Sequence, residues 1–443
     1  MKRNLKKIFT FALLAFGFAA GSNAQASAAK LAIDAANFPD NVIRNALTRT
    51  AKNYTEDSAD DGMQYTKENG VYYVNTDEIT CISTIEEDGT VQNADCLKVF
   101  PNLSEVYFDK VDASSLKFAN SVNYLGLAGI TSSSIHIEAD ALIYLTVNGT
   151  QKVTSLSLSN WGNLETVYLS GVKVPSFDGA ACQNLSSLSL QNTQTSSVKG
   201  LESMKQLNSF SISGSTLSSI DLTANKKLTT VDASDNKKLA SAKLPDGLLY
   251  LYLSDNNLKS VNVKKMKKLL VLDVSGNKNL KAIDISSNKN LYSVSVNNTA
   301  ISKLNTAKNT KLTSLSCYKS KVKSLNLGKN KDLGSLDVSG NKKLTSLNVS
   351  KNKKLFYFSY YGSGIKKMNF SKQKQITLSY SNLKKGKSVS LKNIIGTGYK
   401  VTYSDNGIKY NKKNGSFKVT KKGYAYLTLK KGKTCRYVSV YVK

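Results

Sequence analysis

The sequence predicts a mainly β protein, built as a solenoid of about 13 stacked coils between a helical N-terminal cap and a small C-terminal β-sandwich. Three observations support this prediction. A leucine pattern returns every 19 to 22 residues, apolar and polar residues alternate within each copy, and both patterns change near the two ends of the chain. A repeat unit of this size cannot bury its apolar side alone, so the copies must stack on a shared core.

The repeat covers residues 99–375, where the pattern L-x-x-L-x-L recurs in register. Its cleanest copies lie at residues 269–277 and 333–341. Each copy is followed about 11 residues later by a weaker echo of itself, so one coil combines two extended segments and two turns. The copies begin at Leu103, Val122, Leu142, Leu164, Leu185, Leu207, Leu228, Leu248, Leu269, Leu291, Leu312, Leu333 and Leu355.

Asparagine marks the turn that follows the main strand in several coils. Because an asparagine side chain both donates and accepts hydrogen bonds, we expect these residues to bond the backbone of neighbouring coils as a ladder. Smaller polar residues hold the same position in three other coils. The asparagines are Asn236, Asn256, Asn277 and Asn341, and the smaller residues are Thr299, Ser320 and Ser363.

Both ends of the array carry segments of a different kind. Residues 1–29 start with basic residues, continue with an apolar run and end in small residues, which predicts a secretory signal peptide. Residues 30–98 are the predicted cap, with Pro39 early in a helix whose apolar face is formed by Val42, Ile43, Ala46 and Leu47. Residues 376–443 switch to the alternation of a small β-sandwich.

The repeats resemble the internalin-like class of bacterial leucine-rich repeats, written L-x-x-L-x-[VC]-x-x-N with a half-copy and a period of 21 residues. Some members carry cysteine at the third core position, where this chain has only Cys317 and otherwise residues such as Val274, Val296 and Val338. Residues 376–443 resemble a bacterial immunoglobulin-like domain of surface proteins. The resemblance implies a secreted or cell-surface protein whose exposed strand face binds a protein or glycan.

Charge divides the chain into an acidic front and a very basic back. The formal net charge is +31, of which residues 1–29 supply +4, residues 30–221 supply −10 (12 Lys/Arg against 22 Asp/Glu) and residues 222–443 supply +37 (46 against 9). A basic region of this size suits an anionic partner, and it equally suits solvated lysines that keep a repeat array soluble. Nucleic acid is the weaker candidate, because the basic half contains almost no arginine for base readout.

The chain has few residues for catalysis or for cross-linking. His136 is its single histidine and should point outward from a half-repeat strand. This count excludes a multi-histidine metal centre and leaves no choice of partner for a nucleophile, so we expect no enzyme and no cofactor. Among five cysteines, Cys81 and Cys96 are the only close pair and a candidate disulfide, whereas Cys317 should be a buried, inert thiol.

One degenerate metal motif lies between the predicted helix and the first predicted strand of the cap. Asp57, Asp61, Gly62 and Glu68 match positions 1, 5, 6 and 12 of a calcium-loop template. Ala59 occupies a position that should supply an oxygen ligand, which weakens the match. An acidic polar loop without a metal explains the same residues and is the favoured interpretation.

Tyrosines interrupt the Ser, Thr and Asp that fill most outward positions of the main strands. Such tyrosines anchor a protein or sugar at small entropic cost, because each offers a flat ring and a hydroxyl. Strand propensity and stacking between coils explain the same residues without a ligand. The candidate ligand-binding residues are Tyr107, Tyr124, Tyr144, Tyr168, Tyr250, Tyr252, Tyr318, Tyr357 and Tyr361.

Together these features favour an exported leucine-rich-repeat protein that binds a protein or glycan on its strand face. The alternative is a structural, wall-associated protein held to anionic cell-wall polymers by its lysine-rich C-terminal half. Either would be secreted, or held non-covalently at the bacterial surface, because the sequence shows no L-P-x-T-G sorting motif and no later run apolar enough to span a bilayer. We expect a monomer.

Overall fold

The structure, a computed structural model, describes residues 30–57 and 64–443, and the side chains of residues 54–57 are not described. The predicted signal peptide therefore lies outside the described residues. The fold is mainly β and forms a solenoid of about 14 turns with a small helix near its N-terminal end. This confirms the predicted fold class.

The helices are α1 (Asn41–Asp57) and α2 (Lys392–Ile395), with 3-10 turns at Thr76–Glu78 and Asp95–Val99. The strands are β1 (Lys30–Ala32), β2 (Tyr65–Glu68), β3 (Val71–Asn75), β4 (Cys81–Ser83), β5 (Glu105–Phe108), β6 (Ser115–Lys117), β7 (Tyr124–Ile130), β8 (Ser134–Glu138), β9 (Tyr144–Gly149), β10 (Ser155–Leu158), β11 (Thr166–Ser170), β12 (Ser176–Asp178), β13 (Ser187–Gln191), β14 (Ser197–Lys199), β15 (Ser209–Ser213), β16 (Ser219–Asp221), β17 (Thr230–Asp232), β18 (Ser241–Lys243), β19 (Tyr250–Tyr252), β20 (Val271–Asp273), β21 (Ser293–Ser295), β22 (Ser314–Ser316), β23 (Ser335–Asp337), β24 (Tyr357–Ser359), β25 (Gln375–Leu383), β26 (Ser388–Ser390), β27 (Lys400–Ser404), β28 (Ile408–Asn411), β29 (Ser416–Val419), β30 (Gly423–Lys431) and β31 (Thr434–Val442).

One parallel sheet runs the length of the solenoid, with one strand from each coil. Its order is β4, β5, β7, β9, β11, β13, β15, β17, β19, β20, β21, β22, β23, β24 and β25. The strands are in register, so Leu251, Leu272 and Val294 stack directly and are at most 1% exposed. The leucines that define the repeat form one continuous core.

The opposite side of the coils differs between the two halves of the solenoid. In the front half it forms short parallel sheets, β6–β8–β10, β12–β14 and β16–β18. From β20 to β24, the described backbone on that side contains one isolated bridge, between Lys303 and Ser324. The back coils therefore have to satisfy their turn backbone in another way.

Buried asparagines bond the turns of the back coils. Asn277 donates from Nδ2 to the carbonyl oxygens of Leu253 (2.8 Å) and Val274 (2.9 Å), and its Oδ1 accepts from the N–H of Leu258 at 3.0 Å. Similar bonds are made by Asn236, Asn256 and Asn341, which confirms the predicted ladder. A second buried ladder, which the sequence analysis missed, lines the other turn and consists of Asn225, Asn288, Asn309, Asn330, Asn352 and Gln373.

Helix α1 packs its predicted apolar face, Val42, Ile43, Ala46 and Leu47, into the core. The Asp40 carboxylate caps the helix by accepting hydrogen bonds from the N–H groups of residues 42 and 43 at 3.0 and 3.2 Å. Pro39 thus precedes the cap and does not lie in the first helical turn as predicted. Within the predicted cap region, β4 pairs in parallel with β5 and adds one coil before the first predicted repeat.

The C-terminal residues form two small sheets joined to the solenoid. Strand β25 pairs in parallel with both β24 and β31, so the long sheet continues through β31, β30 and β27. A second, antiparallel sheet contains β26, β29 and β28. Membership of the immunoglobulin-like class remains a prediction, as does the boundary at residue 376.

Candidate functional site: the strand face

The outward side chains of the long parallel sheet form an exposed surface, which we call the strand face. Seven of the nine predicted tyrosines lie in main-sheet strands, whereas Tyr318 and Tyr361 lie in the turns just after β22 and β24, and all nine are half-buried. The seven strand tyrosines occupy outward positions that alternate with inward-facing residues, as the period of two requires. The structure brings three of the nine together and leaves the other six apart from these three.

Tyr107, Tyr124 and Tyr144 form a continuous group, the front tyrosine stack. The ring centroids of Tyr107 and Tyr124 are 5.0 Å apart, and those of Tyr124 and Tyr144 are 4.2 Å apart with only 7° between the ring planes. Tyr124 and Tyr144 pair directly in register on β7 and β9. Direct pairing of aromatic residues on neighbouring strands favours this contact.

A glycine allows the third ring to join the stack. Tyr107 pairs with Gly126, whereas Tyr124 pairs with Glu105, so the rings of Tyr107 and Tyr124 meet on a diagonal. A Cβ atom on Gly126 would lie 2.7 Å from Cδ1 of Tyr107. Any larger residue would therefore displace the Tyr107 ring. Neither the glycine nor the strand offset was apparent from tyrosine spacing alone.

Two hydroxyls of the stack, those of Tyr107 and Tyr124, stay protonated. Burial against neighbouring side chains raises the pKa of Tyr107 and of Tyr124 well above the ordinary value. The charge of Glu105 raises the pKa of Tyr107 further, and the neighbouring Tyr144 does the same for Tyr124. The Tyr107 hydroxyl donates to Oε2 of Glu105 at 3.2 Å. The front of the strand face thus combines apolar ring area with hydrogen-bonding groups.

The remaining predicted tyrosines occupy separate places on the strand face or in the turns next to it. Tyr168 pairs with Thr146 and Ser189 on the neighbouring strands. Tyr250 and Tyr252 share β19, where burial raises the pKa of Tyr252. The other three lie towards the back end of the solenoid: Tyr318 beneath the Lys319 ammonium (5.0 Å from the ring centroid), Tyr357 on β24, and Tyr361 against Tyr380 (5.9 Å between centroids).

Exposed aromatic residues also lie where the sequence analysis did not look for a site. Because Thr377 on β25 pairs with Tyr437 on β31, the strand face continues onto the last three strands of the sheet. The alternation of Tyr424 and Tyr426 in one strand was a usable signal, but these residues were assigned to a separate domain. Four tyrosines there are 39–71% exposed: Tyr403, Tyr424, Tyr426 and Tyr441.

Charge is sharply segregated between the strand face and the rest of the solenoid. None of the main-sheet strands from β4 to β25 contains a lysine or arginine. The back of the strand face instead carries Asp232, Asp273 and Asp337. Burial raises the pKa of Asp337, although hydrogen bonds from Ser339 act in the opposite direction. Within the coils of β17 to β24, the lysines lie outside the main-sheet strands, whereas Lys400 and Lys430 lie on β27 and β30 of the C-terminal extension.

Those of the other predicted site residues that the structure describes do not assemble into a centre. His136 is half-buried on β8, with its Nδ1 atom 2.8 Å from the Ser157 hydroxyl oxygen. Of the calcium-loop candidates, Asp61 and Gly62 lie outside the described residues, as does the side chain of Asp57, and Glu68 forms an ion pair with Lys30. Among the described residues, no group of three or more His, Cys, Asp or Glu could hold a metal.

The proposed disulfide is not formed in the structure, where Cys81 and Cys96 are free thiols. The reason is their place in the coil. Cys81 is exposed on the outward side of β4, whereas Cys96 packs partly buried against the core from a 3-10 turn. Cys317 is fully buried, as predicted, and burial raises its pKa to about 12.

The fold defines a leucine-rich-repeat solenoid, and solved structures of that class resemble it. The functional domain of InlJ from Listeria monocytogenes, which includes a cysteine ladder, matches with a TM-score of 0.55 and 16% identity, covering 94% of this chain and 99% of that chain. An internalin (inlF) from Listeria monocytogenes matches with a TM-score of 0.52 and 16% identity, covering 78% of this chain and 96% of that chain. No protein-family model and no curated protein matches the sequence.

The same comparison bears on the core cysteine. Here Cys317 is flanked in the neighbouring coils by Val296 and Val338, all fully buried. The chain therefore has valines where a cysteine ladder would need thiols.

In the part of the chain that the structure describes, no helix is long and apolar enough to cross a membrane.

Proposed function

We propose that this chain is an exported interaction protein whose strand face binds a protein or glycan, with the front tyrosine stack as the main contact. The stack supports this proposal best, because three touching rings on an open sheet present apolar area and hydroxyls that are already ordered. The basic and apolar segments of residues 1–29 support export.

A second candidate is a wall-associated structural protein held by charge. It is favoured by the 46 basic against 9 acidic residues of residues 222–443. The main-sheet strands from β4 to β25 contain none of these lysines, so an anionic polymer would contact mainly the turns and flanks of the solenoid. Such binding would weaken strongly with salt, because exposed charges are screened.

Screening the secreted chain on a protein and glycan array at low and high salt separates the two candidates. We expect a ligand that persists at high salt and is lost when Tyr107, Tyr124 and Tyr144 are all replaced by Ala. Thermal melting of the variant would show that the solenoid remains folded. If every array signal vanishes at high salt and none depends on the three tyrosines, the first candidate is rejected in favour of the second.

A further inference from the structure

A basic groove crosses the flank of the solenoid just after the chain leaves the strand face. It has a volume of about 620 Å³ and spans the four coils that contain β20 to β23. Five lysines line it, and no Asp or Glu does: Lys281, Lys321, Lys323, Lys342 and Lys343. The groove lies apart from the tyrosines of the front stack, so it could hold a different ligand.

Turn lengths create the groove. In the outer two coils, the next buried leucine lies three residues after the ladder asparagine (residues 277–280 and 341–344). The two residues between them form an extra turn that projects from the coil. In the inner two coils, the next buried apolar residue lies only two residues after the ladder threonine or serine (residues 299–301 and 320–322), so there is no extra turn. Two short turns between two long ones leave a recess whose floor is formed by neighbouring coils.

The charge in this recess is not compensated by the protein. All five lysines are exposed, and none is in an ion pair among the described residues. Two acidic residues of the same coils pair with lysines outside the groove, Asp284 with Lys264 at 3.4 Å and Asp332 with Lys354 at 2.6 Å. Like charges gathered in a groove concentrate the local positive potential and attract an anion with several charges.

We propose that this groove binds a segment of a linear, phosphate-bearing polymer. The lysines come from three of the four coils, which are about 4.8 Å apart, so their charges spread along the solenoid and match an extended chain better than a single small anion. Lysine ammonium groups bind phosphate as compact point charges, without the planar geometry that arginine imposes. A narrow groove with flexible donors therefore suits a repeating phosphate backbone. This ligand would be bound independently of one held on the strand face.

The test uses the full secreted chain, with long-chain polyphosphate as the probe, titrated by calorimetry at several salt concentrations. One variant replaces the five groove lysines by Gln. Its matched control replaces five exposed lysines between the C-terminal strands by Gln, with the same change in net charge and no ion pair among the described residues: Lys384, Lys385, Lys387, Lys412 and Lys413. Thermal melting checks that both variants fold like the wild type.

We expect the groove variant to bind roughly tenfold or more weakly, with a plot of log affinity against log salt that is shallower by about 3. The control should lose far less affinity, and replacing the three tyrosines of the front stack should change nothing. Equal losses in the groove variant and its control would overturn the proposal, because net charge alone would explain the binding. Tighter binding of a heparin-like sulfated glycan than of polyphosphate would also overturn it.

Discussion

The front and back of the solenoid share one core but are held together differently. In the front, β7 has 7 residues and β9 has 6, and parallel sheets also form on the opposite side of the coils. In the back, every main strand from β19 to β24 has 3 residues. Fewer backbone hydrogen bonds between strands therefore hold the back coils together. Buried asparagine amides bond the turn backbone in their place.

This difference extends to the surfaces. Long front strands with directly paired tyrosines bring aromatic rings into contact, as the 4.2 Å distance between the Tyr124 and Tyr144 rings shows. Short back strands leave more of each coil in turns, and lysines occupy those turns. One repeat thus produces an aromatic face at the front and basic flanks at the back.

The largest expected effect comes from removing a ladder asparagine in the back. Asn277→Ala removes the donor to the carbonyl oxygens of Leu253, Val274 and Ser275, and the acceptor of the Leu258 N–H group, at a fully buried position. We expect the free energy of unfolding in urea to fall by about 3 kcal/mol. Asn279→Ala, at an exposed position of the same coil, should change it by less than about 0.5 kcal/mol. Similar losses in the two variants would mean that the ladder does not hold the coils.

A smaller effect is expected when the front stack is broken. Tyr124→Ala removes ring contacts with Tyr107 and Tyr144 and should lower the free energy of unfolding by about 2 kcal/mol. Tyr250→Ala is the matched control, because Tyr250 is equally half-buried in the corresponding register position at the back. Tyr250→Ala should lower the free energy of unfolding clearly less than Tyr124→Ala does. An equal cost would show that stacking adds nothing beyond ordinary burial.

The smallest effect concerns an acid on the back of the strand face. Burial raises the pKa of Asp337, so its ionisation costs stability as pH rises from the ordinary Asp range to neutral. Asp337→Asn should therefore stabilise the protein at pH 7, and the gain should vanish in acid, where both states are protonated. Thermal melting over this pH range measures the difference.

Asp221 provides the control of opposite sign. Hydrogen bonds from Thr223, followed by Lys243, lower its pKa to about 2. Its contribution to stability is present above the ordinary Asp pKa and is lost as pH falls towards 2. Asp221→Asn should thus destabilise at neutral pH and have no effect in strong acid. The same sign for both variants would contradict the assigned environments.

The sequence predicted the features that follow from the repeat period. Buried positions such as Leu272 and the ladder residue Asn277 recur at fixed intervals, so stacking dictates their environment. The coil that contains β4 was missed because it lacks the leucine pattern, and the Asn288 ladder was missed because its residues were seen only as turn formers. The disulfide between Cys81 and Cys96 was wrong because closeness in sequence does not give the side of a coil.

Which tyrosines meet could not be read from spacing. All nine have the same outward periodicity, but contact depends on strand register and on a small neighbour such as Gly126. The basic groove likewise depends on turns that differ in length by one residue. Both features arise from departures from the repeat, which a consensus pattern averages away.

Comparing matched triple variants tests most directly whether the front of the strand face carries binding. One variant replaces Tyr107, Tyr124 and Tyr144 by Ala, and the other replaces Tyr250, Tyr252 and Tyr357 by Ala. Affinity for the salt-resistant ligand found on the array is measured for each. The account predicts that the front variant loses binding and the back variant keeps it. Retained binding by the front variant, with loss in the back variant, would contradict it.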